Sequence, residues 1–573
     1  MIRLRELRPD DATAIAAIES KYHQVLADGA EAHRRYLAEA VAEGVNLSFG
    51  LFDDDRMVGY LLCYGFSPTI FPGETGEALY IEDIALLPRY RRLLPQLIRR
   101  FGVEARTHFP ASSVEAHAVG SVLEVWTRHP AFFASGGYAL TRHRDSGEML
   151  KGEIRYLVRW QPIPDWEPPP PTLDEVIARP GGQAVEVDGV RWEARLLRDE
   201  REWQALQPVW DRLLGGVPGH TVFQTYEYQR LWWRHFGSDN ELFIVLLVRD
   251  GEVRGIAPLQ IETVKEYGRW LRRLAFIGSR WEVDRPRLLF PTADERALTR
   301  ALVGFLAARA GRWDCCDFHE QPTGSAALAE LEEAFRAAGY LVARTRDSDC
   351  PYLVPAGTWP EFLAGKSQTF RKNIKAAGRR LRAAGEVAYR VYDTAPEVLE
   401  QLEVYRDIET RSWKSGEGVG ISGDGDRFEF YREMAECFAA RRAFVIRILS
   451  VGGRPVAGTF GLSHDGVFYS LQIAHDAELS RSSPGTYLEA LEMEQCFREG
   501  FREYEFLGGF LNNKSRWTST YRFTTQLHVH RRTPFFLALH AVVFGLKPRL
   551  KALIRPYMKS WRKPVAEGSR DRD

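Results

Sequence analysis

The stretch Ser482-Ser483-Pro484-Gly485-Thr486 stands directly before the amphipathic segment TYLEALEMEQCF, and its residue types suit an anion site. Serine suits a helix cap, proline the first helical turn, and glycine a close approach of ligand to the backbone N–H groups at a helix start. Asp476 and His475 lie just upstream as proton acceptors, and Lys514 sits in the polar loop GGFLNNKSRW, where a cation meets a phosphate or a carboxylate. Arg371, Lys372, Lys375, Arg379 and Arg380 run along one helix candidate and suit phosphate groups, although an exposed solubilising face is the commoner use of such a run. Trp413 and Trp281 offer stacking faces, set against the ordinary role of tryptophan in a core.

Two apparent metal motifs fail. GDGDRFEFYREM resembles the start of a calcium loop, but the twelfth position from Asp424 is Ala435 instead of glutamate, so a loop and helix cap explain it better. CCDFHEQP gathers Cys, His and Glu on one strand, whose alternation points them to opposite faces, and no second ligand pair is apparent. No metal is expected. The six cysteines form no C-x-x-C pair, as in a reducing compartment, and disulfides are not expected.

The elements that must position these residues recur three times. DDDRMVGYLLCYGF, RDGEVRGIAPLQIE and VGGRPVAGTFGLSH each read as a β-hairpin with a small residue, Gly59, Gly255 or Ala457, opening the second strand. The copies lie roughly 200 residues apart, a spacing that suits domain duplication better than a solenoid. One strand and one or two amphipathic helices precede each hairpin, and a strand, a helix and a strand follow. This β, α, α, β, β, β, α, β order predicts an α/β layer fold with a mixed sheet.

With 573 residues the chain is long enough for about three compact units. Lys+Arg and Asp+Glu both number 77, so net charge names no nucleic-acid or other polyionic partner. The proline run in Gln161–Pro171 marks a semi-rigid spacer, and a softer break falls near Gly357. The predicted division is 1–160, a linker 161–188, a lobe 189–357, a lobe 358–532 and a tail 533–573. No apolar stretch at the amino terminus suits a signal peptide and no run reaches the roughly 20 residues of a spanning helix, so the expected location is cytoplasmic. In the tail, apolar residues from Phe535 to Leu546 precede Lys547, Arg549, Lys551, Arg555, Lys559, Arg562 and Lys563, a pattern that suits docking on an anionic membrane face as well as packing on the protein.

FRKNIKAAGRRLRAAG, YRDIETRSWK, RPVAGTFGL, YSLQIAHDAELSRSSPGTYL and REYEFLGGFLNNKSRW together resemble the CelD-type, BioF-like acetyltransferases, relatives of the FemAB peptidyltransferases. VFQTYEYQRLWW and IGSRWEVDRPRLL resemble the other FemAB half more loosely, and the first unit looks like an added GNAT domain. The resemblance implies three GNAT-like folds, the last two a FemAB-like tandem. It also implies transfer of an acyl group from acyl-CoA to an amine of a cell-envelope, polysaccharide or lipid-linked acceptor, with aminoacyl-tRNA as the alternative donor and no DNA partner. A non-catalytic scaffold in exopolysaccharide assembly is the rival reading.

In such enzymes the turn after the fourth strand carries glycines beside the coenzyme A pyrophosphate. The first unit has Leu94 and Gln96 where those glycines should stand, and the second has no glycine pair, so the resemblance places the donor at Ser482, Ser483, Gly485 and Thr486. Glu505 stands where the family commonly has aspartate, and Asn513 where it has tyrosine before Lys514. Amide formation from a thioester needs a neutral amine and stabilisation of charge on the carbonyl oxygen. Asp476, His475, Asp284 and Glu505 are the base candidates, with Asp476 favoured for its place beside the donor loop. Arg371, Lys375, Trp413 and Trp281 are the expected acceptor contacts.

Overall fold

The computed structural model describes residues 2–20, 29–43, 45–54, 56–150, 153–166, 170–179, 181–278, 282–412, 414, 420–508 and 514–546. Two compact units, Met1–Pro180 and Gly181–Asp573, are present.

The first unit holds seven strands: β1 (Ile2–Glu6), β2 (Phe49–Asp53), β3 (Arg56–Pro68), β4 (Glu77–Leu86), β5 (Val114–Val119), β6 (Tyr138–Leu150) and β7 (Glu153–Pro162). They form one sheet in the order β1-β2-β3-β4-β5-β7-β6. The helix Leu94–His108 joins the parallel strands β4 and β5 and buries Leu97, Ile98, Phe101 and Ala105, apolar positions spaced three and four apart. Its first two residues are Leu94 and Pro95, so one of the N–H groups at the helix start is missing at the outset.

The second unit holds thirteen: β8 (Gln183–Val187), β9 (Val190–Leu197), β10 (Glu241–Arg249), β11 (Glu252–Glu266), β12 (Arg269–Phe276), β13 (Cys315–Pro322), β14 (Leu341–Leu353), β15 (Val387–Tyr392), β16 (Phe444–Val451), β17 (Arg454–His464), β18 (Val467–His475), β19 (Glu503–Glu505) and β20 (Tyr521–His530). All belong to one continuous sheet, ordered β15-β16-β17-β18-β19-β14-β20-β13-β12-β11-β10-β9-β8. The hairpins anticipated from sequence turn through Asp250-Gly251 (φ 54° and 76°) and Gly452-Gly453 (φ 58° and 81°), paired left-handed residues that match strand twist. In all three hairpins, a register shift lies beside the small residue: Leu51/Phe52 near Gly59, Leu247/Val248 near Gly255, and Leu449/Ser450 near Ala457.

Strand exchange fuses the two lobes of this unit. β20, which follows the second lobe in sequence, pairs with β13 and β14 of the first, while the end of β14 pairs with β19 of the second (Tyr352↔Glu505). The segment 161–188 likewise holds more than a spacer: the helix Leu173–Ala178 lies in it, and β8 opens the long sheet. The tail begins with the helix Pro534–Leu539, where Phe536 packs with Leu271 and Cys315, while Leu537, Val542 and Leu546 are exposed. Lys547 to Lys563 lie outside the described residues. No helix among the described residues is long and apolar enough to cross a membrane.

The helix Pro484–Glu499 crosses from β18 to the parallel strand β19, and a buried ion pair fastens it to the sheet. Arg447 of β16 holds Glu492 of the helix at 3.1 Å, both side chains 1% exposed; Tyr504 of β19 donates to the other Glu492 oxygen at 3.0 Å. Phe468 of β18 lies under the guanidinium, 4.2 Å from its centre. Removing one partner of such a pair leaves a buried charge uncompensated, which costs about 3–5 kcal/mol. Glu492→Ala is therefore expected to lower the unfolding free energy of the second unit by about that amount in urea titration; a loss below about 1 kcal/mol would contradict this role.

Candidate functional site

β18 and β19 pair only from Val467↔Glu503 to Tyr469↔Glu505, and from Ser470 to His475 the strands part. A fourth strand whose inner edge loses its neighbour leaves backbone N–H and C=O groups free to bond an extended ligand. The helix Pro484–Glu499 starts beside this opening. Its first N–H groups, those of Gly485 and Thr486, have no carbonyl four residues back within the helix, and the aligned peptide dipoles favour an anion there.

Polar side chains from three directions line the parting. Gln472 of β18 accepts from Lys414 Nζ at 3.0 Å and donates to the Tyr431 hydroxyl at 3.3 Å. Lys514 Nζ donates to the carbonyl of Leu507, just past β19, a non-glycine residue held at φ 52°. Glu489 of the helix accepts from Trp517 Nε1 at 3.2 Å. Burial pushes the Glu489 carboxyl up to about 7, helped by Glu492 and opposed by the Trp517 hydrogen bond and by Lys514 and Arg516. Burial also lowers Lys514, against the pull of Asp284, Cys350 and Glu489, and lowers Lys414 against that of Glu409. A carboxyl poised near neutrality beside the buried Lys514 ammonium can take a proton from an amine while the cation holds negative charge.

A charged chain links the lobes next to this opening. Asp284 accepts from Arg285 Nε at 2.6 Å, Arg285 Nη1 lies 2.7 Å from Glu505, and Arg522 bonds both Glu505 (2.5 Å) and Glu503 (2.5 Å). Burial raises the Glu505 carboxyl and its hydrogen bond with Glu503 adds to this, while Arg285 and Arg522 oppose it. Arg427 and Tyr431 of the helix Gly425–Ala439 both bond the Glu282 carboxylate. Glu282, Arg285 and Glu320 all adopt left-handed backbone (φ 55°, 51° and 51°), strain that non-glycine residues keep where the surroundings enforce it. Arg285, Glu505, Arg522 and Tyr469 line a cavity of about 350 Å³ shared with Arg287 and Arg502.

The structure sorts the sequence candidates. Asp284, Glu505 and Lys514, far apart in the chain, come together at the lobe junction. Asp476 does not join them, which corrects its choice as favoured base: it is fully buried, caps the turn Ala477–Ser482 by accepting from Glu478 N at 3.0 Å, and holds Arg454 at 2.7 Å and Arg411 at 3.4 Å. His475 packs against Gly485, where an added Cβ would lie 3.1 Å from Nδ1, so that glycine makes room for the imidazole. Ser483 is the N-cap in left-handed conformation (φ 53°) but makes no side-chain cap bond, while Ser482 and Thr486 are half-buried. On the helix Gln368–Ala384, Lys375 is exposed and Arg371 half-buried. Trp281, Trp413 and Asn513 lie outside the described residues. Asp424 caps its helix, as expected of that loop. Glu489, Lys414 and Arg285 escaped sequence reading; the only local signal was the placement of a glutamate one turn into the helix behind the SSPG loop.

Residues 368–515 match the family model described as "Acetyltransferase (GNAT) domain". The second lobe of the second unit thus carries a region similar to GNAT acetyltransferase domains, about a quarter of the chain. The sequence has no match among curated proteins. Among solved structures it is similar to FemX (12% identity, 58% of this chain and 98% of that one, TM-score 0.39). It is also similar to the C-terminal DUF2156 domain of a putative lysylphosphatidylglycerol synthetase from Agrobacterium fabrum (12%, 55% and 90%, 0.34). A third is Naa50 of Arabidopsis thaliana with a CoA-containing bisubstrate analogue (15%, 28% and 97%, 0.21).

The raised Glu489 carboxyl has a consequence for stability. The folded chain holds this proton more tightly than the unfolded chain, so the contribution is full below the ordinary value of 4.5 and is lost as pH rises through about 7. Glu489→Gln keeps the acceptor for Trp517 and removes the titration. Thermal melts across that window are expected to show a flatter decline for the variant than for the parent; parallel curves would contradict the assignment.

Proposed function

We propose that the C-terminal lobe transfers an acyl group from acyl-CoA to a primary amine, with Glu489 receiving the amine proton. The observation that carries this reading is the parting of β18 from β19 beside the free N–H groups of Gly485 and Thr486, within the matched domain. The extended arm of the donor would lie along Ser470–His475, with its phosphates at the helix start. Attack of the neutral amine forms the new C–N bond as the C–S bond breaks and coenzyme A leaves as thiol or thiolate. The Lys514 and Lys414 ammonium groups suit charge developing on carbonyl oxygen or sulfur. Asp284, Arg285 and Glu505 act by holding the two lobes around the acceptor.

The acceptor belongs to the same proposal: an amine on a cell-envelope, polysaccharide or lipid-linked molecule, the class the FemAB-like resemblance implies. The arginine-rich cavity beside Glu505 supports an acceptor that carries acidic groups. The exposed Leu537, Val542 and Leu546, followed in sequence by the cationic run, support peripheral contact with an anionic membrane.

Thr486→Glu tests the donor site. A glutamate in the first helical turn favours the helix, so the fold is expected to hold, while its charge repels a phosphate. Acetyl-CoA and longer acyl-CoAs are expected to raise the melting temperature of the parent, and the variant is expected to lose that response with its own melting temperature kept. An unchanged response would remove the helix start as donor site, and stabilisation by aminoacyl-tRNA alone would replace acyl-CoA as the donor.

A further inference from the structure

His220, His464 and Asp465 bring one imidazole from the first lobe of the second unit against a histidine and a carboxylate at the β17–β18 turn of the second lobe. Their ligand atoms all lie within 4.8 Å of one another. His220 Nε2 is 2.8 Å from Asp465 Oδ2, and His464 Nε2 is 3.8 Å from the same oxygen. A tetrahedral zinc ion with bonds of about 2.0–2.1 Å sets its ligand atoms about 3.3 Å apart, between those two distances.

The proton arrangement at His220 is what points to a cation. Its Nδ1 lies 2.9 Å from the carbonyl of Val217, which can only accept, so Nδ1 carries a hydrogen and the neutral ring presents a lone pair at Nε2. That lone pair faces a carboxylate oxygen at 2.8 Å. Two acceptors so close repel unless a proton or a metal ion sits between them. A backbone carbonyl that fixes the tautomer of a ligating imidazole is also the usual outer partner of a metal-bound histidine. His464 adds a second vacant donor: its Nε2 is buried without a hydrogen-bond partner, and its ring meets that of His220 edge-on at 5.4 Å between centroids.

We propose that His220 Nε2, His464 Nε2 and Asp465 bind a borderline divalent metal ion, zinc above all, at the junction of the two lobes. Two imidazoles and one carboxylate suit zinc better than calcium or magnesium, which prefer all-oxygen sets. The three donors leave a coordination position for water or substrate, and His220 lines the same cavity as Arg285, Tyr469 and Glu505. His464 is half-buried at this turn. The nearest other charges facing it, Arg441 and Glu227, are paired at 3.4 Å and largely offset one another. The arginines of the cavity oppose a cation, so the carboxylate of Asp465 is required. Its place is fixed by the hairpin, where Asp465 and Gly466 are both left-handed (φ 47° and 71°). The ion would tie lobes whose ligands are 244 residues apart, independent of the acyl donor.

The test uses the full chain, freed of any affinity tag and treated with chelator, titrated with Zn²⁺ by calorimetry and with Co²⁺ by visible absorption. One equivalent of zinc, a raised melting temperature and a tetrahedral Co²⁺ spectrum are expected. His464→Ala, which leaves the His220–Asp465 pair intact, is expected to weaken zinc at least about 10-fold, and Asp465→Asn, at an exposed turn position, to do the same. Unchanged circular dichroism of either variant separates loss of ligand from loss of fold. No uptake by the parent, or zinc affinity unaltered in both variants, would overturn the site and leave a protonated His220 bridging Val217 and Asp465.

Discussion

The ion pair between Arg447 and Glu492 sets where the two central strands of the C-terminal lobe stop running together. It clamps the helix Pro484–Glu499 to β16, and Tyr504 ties the same carboxylate to β19, all within the register where β18 and β19 still pair. Beyond Tyr469 no backbone ladder joins β19 to β18 among the described residues, and the opening follows. A cation and an anion both 1% exposed are expensive to desolvate and tolerate little displacement. Rigidity of that kind suits a site that must hold two reactants in register.

Around this opening the lobes exchange strands, so the cleft is built on one sheet and not on a hinge. β20 inserts between β13 and β14, and Arg522, carried on it, reaches Glu503 and Glu505 of the other lobe. The same junction holds Arg285 with Glu505 and Glu282 with Arg427, carboxylates and guanidinium groups paired across lobes. Charges alternate along this chain, with Arg285 Nη2 and Glu505 Oε2 left buried without a hydrogen-bond partner. On the helix side, burial pushes the Glu489 carboxyl up to about 7.

The hairpins, the crossover helices and the loop ahead of Pro484 were legible in the sequence because each has a local cause: paired left-handed turn residues, an apolar stripe, a proline at a helix start. The strand exchange was not, since β14 and β20 look like ordinary terminal strands of their own lobes and only tertiary pairing moves them. Asp476 looked like a base because it ends β18 beside the loop, yet the arginines that occupy it come from positions 411 and 454. Asp284, Glu505 and Lys514 were legible as residue types, while their convergence depends on lobe packing. The ligand set His220, His464 and Asp465 has no spacing motif, so a sequence search for metal ligands passes over it.

The central claim is that the donor lies in the parting of β18 and β19 with its phosphates at the helix start. Amide hydrogen exchange with and without acetyl-CoA reads this region directly. Protection is expected across Ser470–His475 and at Gly485–Thr486, with little change at 88–98 of the first unit. Protection confined to 88–98, with 470–486 unaltered, would place the donor in the other unit and contradict the account.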